Sequence, residues 1–253
     1  MGTTLEVLFT PAEFSLLSAR DLSQTVCVVF DILRATTSLL TALGNGAEEI
    51  IPVAEISEAL AIRARQPGVL LAGEREGLRI RAALTGGVDF EFGNSPREFT
   101  PEKVRGKKIV ITTTNGTRAL RACSGAKQIL VGAFLNLRAV ANWLEQARPP
   151  QLLLICSGTF DQAAYEDVLA AGALCDLIWA SYERGQVSDA AQIARHVYRF
   201  AHGDLLGAIQ SARNGRRLLA HPELADDVRF CAQRDTLQFV AVMRDHSIQR
   251  LRP

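Results

Sequence analysis

Lys107 to Leu120 reads KKIVITTTNGTRAL, and the fold turns on how this stretch is parsed. Ile109, Val110 and Ile111 are consecutive, apolar and β-branched, the composition of a strand buried on both faces. Thr112 to Thr114 close the run, and Asn115 and Gly116 follow as a turn pair that tolerates positive φ. Thr117 is placed to cap a helix carrying Ala119, Leu120 and Ala122. A strand, a hydroxyl-rich turn and a helix start direct unpaired backbone N–H groups at one point, where an anion is favoured. Arg118 can add a bidentate clamp. The same stretch also serves as a plain connection in a parallel sheet, so spacing alone leaves both readings open.

The flanking sequence repeats the pattern. Strands are expected at Leu5–Phe9, Thr25–Phe30, Glu49–Val53, Val69–Ala72, Gln128–Gly132 and Leu152–Cys156, with helices between them at Thr36–Gly44, Ser57–Arg65, Leu137–Ala147 and Ala164–Arg184. A short helix starts at Pro11. Strands alternating with helices indicate an α/β fold, a three-layer α/β/α arrangement whose sheet is predominantly parallel, with room for a mixed element. Residues 186–236 read as helical, Leu237–Met243 as a returning strand, and the tail Ile248–Pro253 as ordered only by contact. Neither a repeat nor a clean linker divides the chain, so residues 1–253 are read as one α/β domain.

Composition narrows the partners. With 28 basic and 27 acidic residues the formal charge is +1, which argues against a nucleic-acid partner held by general charge. No run of 18 apolar residues is present, so no membrane span is expected, and the first residues, MGTTLEVLFTPAEF, lack the pattern of a signal peptide. The five scattered cysteines contain no C-x-x-C pair and fit reduced core thiols of a cytoplasmic protein. The four histidines all fall after residue 195 without metal-ligand spacing, which argues against zinc. A homodimer is the simplest assembly to expect, closed twofold pairs being the commonest.

Ligands of open α/β sheets bind outside the carboxyl ends of the strands. Polar residues gather there: Asp31 and Arg34 after one strand, Glu74 and Arg75 after another, Thr112–Thr117 after the central one, Asn136 and Cys156–Gly158 after two more. Glu166 and Asp167 open the next helix. Hard carboxylate oxygens suit Mg²⁺, and arginines suit anionic oxygens, the combination phosphoryl transfer needs. Each group also admits a plainer duty. Asp31 can cap the helix opening near Thr36, and Glu74 with Arg75 can be a surface pair worth under roughly 1 kcal/mol. Glu166 and Asp167 suit a first helical turn, Asn94 and Ser95 the turn before Pro96, and Cys156 a core position. Known phosphatase signatures fail: the position six beyond Cys156 is Gln162, not arginine, and Leu33 stands where a haloacid-type second aspartate would be. No Walker A or G-x-S-x-G sequence occurs. Motif logic ends at an anion-binding α/β enzyme.

The blocks FDILRATTS (Phe30–Ser38), GER (Gly73–Arg75), GNSP (Gly93–Pro96), TTTNGTRAL (Thr112–Leu120), GAFLN (Gly132–Asn136), CSG (Cys156–Gly158) and YEDVLAAG (Tyr165–Gly172) occur in one order. This set resembles the 2-phosphosulfolactate phosphatase family from about Val28 to Asp235. The resemblance implies Mg²⁺-dependent hydrolysis of (R)-2-phospho-3-sulfolactate to sulfolactate and phosphate, a step of coenzyme M biosynthesis. It implies Mg²⁺ on some of Asp31, Glu74, Glu166 and Asp167. Asp31 becomes nucleophile or base, grouped with Arg34 and Asn115 as catalytic candidates. Thr114, Gly116 and Thr117 would hold phosphoryl oxygens; Arg75 and Arg118, with Arg34, would bind the other charges. Asn94, Ser95 and Asn136 complete the substrate contacts. One departure stands out: Arg81 and Ala82 replace a Glu-Gly usual between GER and GNSP, so, if this segment folds over the substrate, the resemblance fixes the hydrolysis and leaves the identity of the natural ester open. Two other readings stay open, a phosphatase of another small phospho-acid and a non-catalytic anion-binding module.

Overall fold

The computed structural model describes residues 2–251. Its strands are β1 (Thr4–Leu8), β2 (Thr25–Phe30), β3 (Glu49–Pro52), β4 (Leu70–Arg75), β5 (Leu78–Arg79), β6 (Lys108–Thr112), β7 (Gln128–Gly132), β8 (Gln151–Cys156), β9 (Gln186–Val187), β10 (Ala241–Arg244) and β11 (Ser247–Arg250). They form one sheet in the order β5-β4-β6-β3-β11-β10-β7-β2-β8-β1-β9. The helices are α1 (Ala35–Gly44), α2 (Ile56–Arg65), α3 (Ala82–Thr85), α4 (Pro101–Val104), α5 (Gly116–Ala122), α6 (Leu137–Ala147), α7 (Tyr165–Tyr182), α8 (Asp189–Ala201), α9 (Leu205–Ser211), α10 (Arg213–Leu219) and α11 (Ala225–Cys231). The expected α/β class and mostly parallel sheet are present.

Two parallel blocks make up the sheet. In one, β2 lies between β7 and β8, with β1 and β9 beyond; all six β2 residues are buried, as its unbroken TVCVVF run requires. In the other, β6 lies between β3 and β4. Between the blocks sits the β10–β11 hairpin, antiparallel to β7 on one side and to β3 on the other. Three antiparallel pairings in succession leave the second block running opposite to the first. In a flat sheet their carboxyl ends would lie on opposite edges. Here the loops after β2 and β6 touch, because a Cβ on Gly116 would stand 2.6 Å from Ala35 Cβ and 2.9 Å from Asp31 Oδ2. Glycine at position 116 is what allows that approach.

The hairpin is where sequence and structure part. A single strand over Leu237–Met243 was expected, and the tail was expected to be ordered by contact alone. Instead Asp245 and His246 turn with positive φ, and Ser247–Arg250 return as β11 inside the sheet. Only Ser247 and Ile248 of that strand are buried, so its polar half hid the pattern. The last tail residues, Arg252 and Pro253, lie outside the described residues.

The helix-rich segment begins at α8 and ends with α11, inside the expected bounds. The helix after the TTTNG turn starts earlier than expected: Asn115, not Thr117, is the N-cap residue, and the Thr117 hydroxyl donates back to the Thr113 carbonyl at 2.8 Å. All five cysteines are buried free thiols, and burial pushes Cys156 well above its ordinary pKa. Among the described residues no helix is long and apolar enough to cross a membrane.

Candidate active site

The loops of both blocks and the C-terminal helices enclose a cavity of about 290 Å³. Asp31, Leu33 and Arg34 line it from the β2–α1 loop, and Glu74–Gly77 from the β4–β5 turn. Asn94 and Thr113–Asn115 add further wall, while Thr159, Phe160, Asn214, Arg217 and Leu218 complete it.

Asp31 sits where the β2 backbone leaves the sheet and is 8% exposed. Its Oδ1 accepts the Ala35 N–H at 3.0 Å, so the capping duty is real, while Oδ2 faces the Gly116 backbone. Burial raises its pKa from 3.8 to about 7; the Ala35 N–H opposes this, and the charges of Glu74 and Glu166 reinforce it. Glu74 is buried rather than paired at the surface: Oε1 accepts the Thr114 N–H at 2.8 Å and Oε2 the Gly77 N–H at 2.6 Å. The Thr114 donor is therefore occupied by a carboxylate. The N–H groups of Asn115 and Gly116 make no hydrogen bond among the described residues, and of the two Asn115 lines the cavity.

Glu166 and Asp167 share the first turn of α7 but have different surroundings. Asp167 Oδ1 accepts the Ile32 N–H at 2.8 Å and Oδ2 the Gly158 N–H at 3.1 Å, so it pins the loops after β2 and β8 together. Glu166 Oε1 accepts the Asn214 amide at 2.6 Å, but its Oε2 is buried without a partner. Burial raises both pKa values, and Asp167 is raised further by Glu166 and Asp31. The four acidic residues singled out in the sequence are thus gathered into one electrostatic cluster.

A divalent cation fits the donor chemistry. Glu166 Oε2 and Asn94 Oδ1 are buried oxygens with no hydrogen-bond partner, beside a carboxylate that burial and like charge disfavour. Among the described residues no three Asp, Glu, His or Cys side chains form a ready cage. Mg²⁺ does not need one, since it keeps several waters and takes one or two carboxylates.

Three arginines line the cavity. Arg34, 4% exposed, donates to Asp227 Oδ2 at 2.7 Å and to the Gly77 carbonyl at 2.7 Å. Arg75 donates to the Glu74 carbonyl and, at 3.1 Å, to Thr112 Oγ1. Arg217 donates to the Glu76 carbonyl. Among the described residues neither Arg75 nor Arg217 forms an ion pair, so both keep a full uncompensated charge.

Other sequence candidates are placed elsewhere. Arg118 pairs with Asp161 at 2.8 Å on the surface and does not clamp the turn. Asn136 is fully buried behind the sheet end; its Oδ1 accepts the Ala133 N–H at 3.0 Å and its amide reaches the Val131 carbonyl at 3.1 Å. It holds a turn and does not line the cavity. Ser95 donates to Asp227 at 2.7 Å, and Gly116 and Thr117 are buried just behind the wall. The Arg81–Ala82 segment also stays away: nothing between Leu78 and Gly93 lines the cavity, so the departure there leaves its walls unchanged.

Sequence reasoning missed Thr159, Phe160, Asn214, Arg217 and Asp227. Asp227 is fully buried and accepts from Arg34, Ser95 and, at 2.8 Å, Arg97. The dense RNGRR run (Arg213–Arg217) was the available signal for the helical wall. Asp227 offered none beyond standing next to an apolar Val228.

The family model described as 2-phosphosulpholactate phosphatase matches residues 12–246. The chain belongs to that family. A probable 2-phosphosulfolactate phosphatase of Caldanaerobacter subterraneus subsp. tengcongensis is 34% identical over 242 residues, covering 94% of this chain and 95% of the relative. That of Symbiobacterium thermophilum is 35% identical over 232 residues, covering 91% and 96%. The probable 2-phosphosulfolactate phosphatase of Pseudothermotoga lettingae is 36% identical over 240 residues, covering 94% and 95%. As a family member the chain is a phosphatase by kinship, and the cavity lined by Asp31, Glu74 and the three arginines is its candidate site.

Proposed function

We propose that this chain is a Mg²⁺-dependent phosphatase that hydrolyses (R)-2-phospho-3-sulfolactate to 3-sulfolactate and phosphate. The observation that carries this reading is the cavity itself, which is lined together by buried Asp31, the Thr113–Asn115 turn, and Arg75 and Arg217, two arginines without an ion pair among the described residues. Such a cavity suits a small ester bearing more than one anion.

Phosphoryl transfer demands alignment and charge neutralisation more than covalent machinery. The phosphoryl group lies against the free Asn115 N–H at the cavity wall, with Arg75 beside Thr112 balancing its charge. Asp31 stands as nucleophile or as base for the attacking water; its Ala35 hydrogen bond fixes one oxygen, and the other accepts no hydrogen bond among the described residues. Asn94, on the cavity wall, orients the attacking group. Mg²⁺, held by Asp31 with Glu166 and Asn94, would supply charge neutralisation at the phosphoryl oxygens and favour the ionised form of Asp31. Arg34, buried and fixed by Asp227, shapes the floor of the site.

Phosphate release from phosphosulfolactate, with and without Mg²⁺ and after chelation, tests the proposal. Turnover only with the cation is expected. Tight phosphate binding without turnover on any ester would favour an anion receptor instead. Stereochemistry at a chirally labelled phosphoryl group separates the two routes: direct attack by water inverts it, and a phospho-Asp31 route retains it.

A further inference from the structure

We propose that Arg217 is the tail-reading residue of the cavity: it receives the carboxylate or sulfonate of the substrate, while the phosphoryl group occupies the Asp31 side. The inference rests on the phosphatase reading and assigns a subsite within it. Of the three cavity arginines, Arg34 is already neutralised by Asp227 at 2.7 Å. Arg75 belongs to the phosphoryl end, because its guanidinium reaches Thr112 Oγ1 at the foot of the TTTNG turn. That leaves Arg217.

Arg217 comes from α10, not from a strand end, and is exposed at the cavity wall. Among the described residues its hydrogen bond is to the carbonyl of Glu76, and it makes no ion pair. Gly77, held at positive φ, lies against it: a Cβ there would be in ordinary contact with Arg217 Nη2 at 3.6 Å. The neighbouring Arg213 cannot take the role: it donates to Gln162 Oε1 at 2.7 Å and to the Thr159 carbonyl at 2.9 Å, so it is spent on the Phe160 loop. Two cations without an ion pair among the described residues, one on β4 and one on α10, match two anionic groups on one small molecule.

The test compares three esters that shed one tail anion at a time: (R)-2-phospho-3-sulfolactate, 2-phospholactate and isopropyl phosphate. In Arg217→Met, KM for the charged-tail esters is expected to rise about tenfold to a hundredfold, the scale of one lost charge-assisted hydrogen bond. The ratio of kcat/KM between phosphosulfolactate and isopropyl phosphate falls accordingly, and Arg217→Lys recovers most of it. Loss on phosphosulfolactate but not on 2-phospholactate assigns Arg217 to the sulfonate; equal loss on both assigns it to the carboxylate. Arg216→Met, one residue away and bonded to the Ser211 carbonyl, is the control and should not alter the ratio. An unchanged ratio in Arg217→Met overturns the proposal. If the native protein hydrolyses none of the esters, the phosphatase reading fails by itself, and calorimetry with 3-sulfolactate then decides the subsite: at least tenfold weaker binding to Arg217→Met supports it, equal binding ends it.

Discussion

The strand-end loops and the C-terminal helices build opposite walls of one cavity by different means. Strand-end acids are fixed by backbone donors: Asp31 by Ala35, Glu74 by Thr114 and Gly77. Helix-borne groups work through side chains or carbonyls: Asn214 on Glu166, Asp227 on Arg34, Arg217 on the Glu76 carbonyl. The strand ends therefore place Asp31 and Glu74, and the C-terminal helices decide which charges find side-chain partners. A site assembled this way separates its chemistry from its charge balance, and each can be broken independently.

The largest effect is expected on the sheet side. Asp31→Asn should lower kcat by about 10²–10⁴-fold, the range of a lost acid–base group, while its amide oxygen still accepts from Ala35 and keeps the fold. Turnover within tenfold of the native protein would remove Asp31 from the chemistry and shift attention to Glu166. On the helix side the corresponding break is in stability. Asp227→Ala strips Arg34 of its counter-charge in a fully buried setting and should cost about 3–5 kcal/mol in urea denaturation. A cost below about 1 kcal/mol would mean that water or Glu74 takes over, and the helices would then matter less than the geometry implies.

This division also explains what could be read from sequence. Strand ends announce themselves, because an apolar run stops abruptly at a polar residue; Asp31, Glu74 and Thr112–Asn115 were found that way and all line or adjoin the cavity. The same signal misled at Asn136, which also follows a strand but turns its amide inward to the Ala133 and Val131 backbone. It misled at Arg118, whose helix faces Asp161 instead of the turn. Helical residues carry no such stop signal. Arg217 and Asp227 look like any solvated or first-turn charge until the packing of α10 and α11 is known. The β10–β11 hairpin was illegible for a related reason: strands of four residues, half of them polar, do not show a period. Yet that hairpin reverses the second block and so determines which strand ends meet.

Next in size is the pH response of the metal-free protein. Asp31 has a pKa of 3.8 unfolded and about 7 folded, so between those values the folded chain holds a proton that the unfolded chain has released. Its contribution to stability is full below about pH 3.8 and is lost as pH rises through about 7. One proton is worth about 1.4 kcal/mol per pH unit across that window. Glu166 and Asp167, also raised by burial, add to the same slope. Asp31→Asn should flatten denaturation curves measured from pH 4 to 7, and Mg²⁺ should raise the melting temperature of the native protein near pH 7.5 but not that of the variant. A slope unchanged by the substitution would mean that Asp31 is ionised in the metal-free fold and that the acid cluster is better solvated than its burial indicates.

The smallest effect marks where the cavity ends. Asn136→Ala leaves the Ala133 N–H and the Val131 carbonyl without their partner inside the protein, a loss of about 1–3 kcal/mol. Because Asn136 is fully buried behind the wall, KM for the phosphate ester should stay within about twofold of native once the protein is folded. Melting temperature and KM measured on one preparation separate the two possibilities. A lowered melting temperature with an unmoved KM places the end of the β7 strand outside the site. A tenfold rise in KM at unchanged stability would put Asn136 among the substrate contacts, and the cavity would then extend past β2 toward the hairpin, where the two blocks of the sheet are joined.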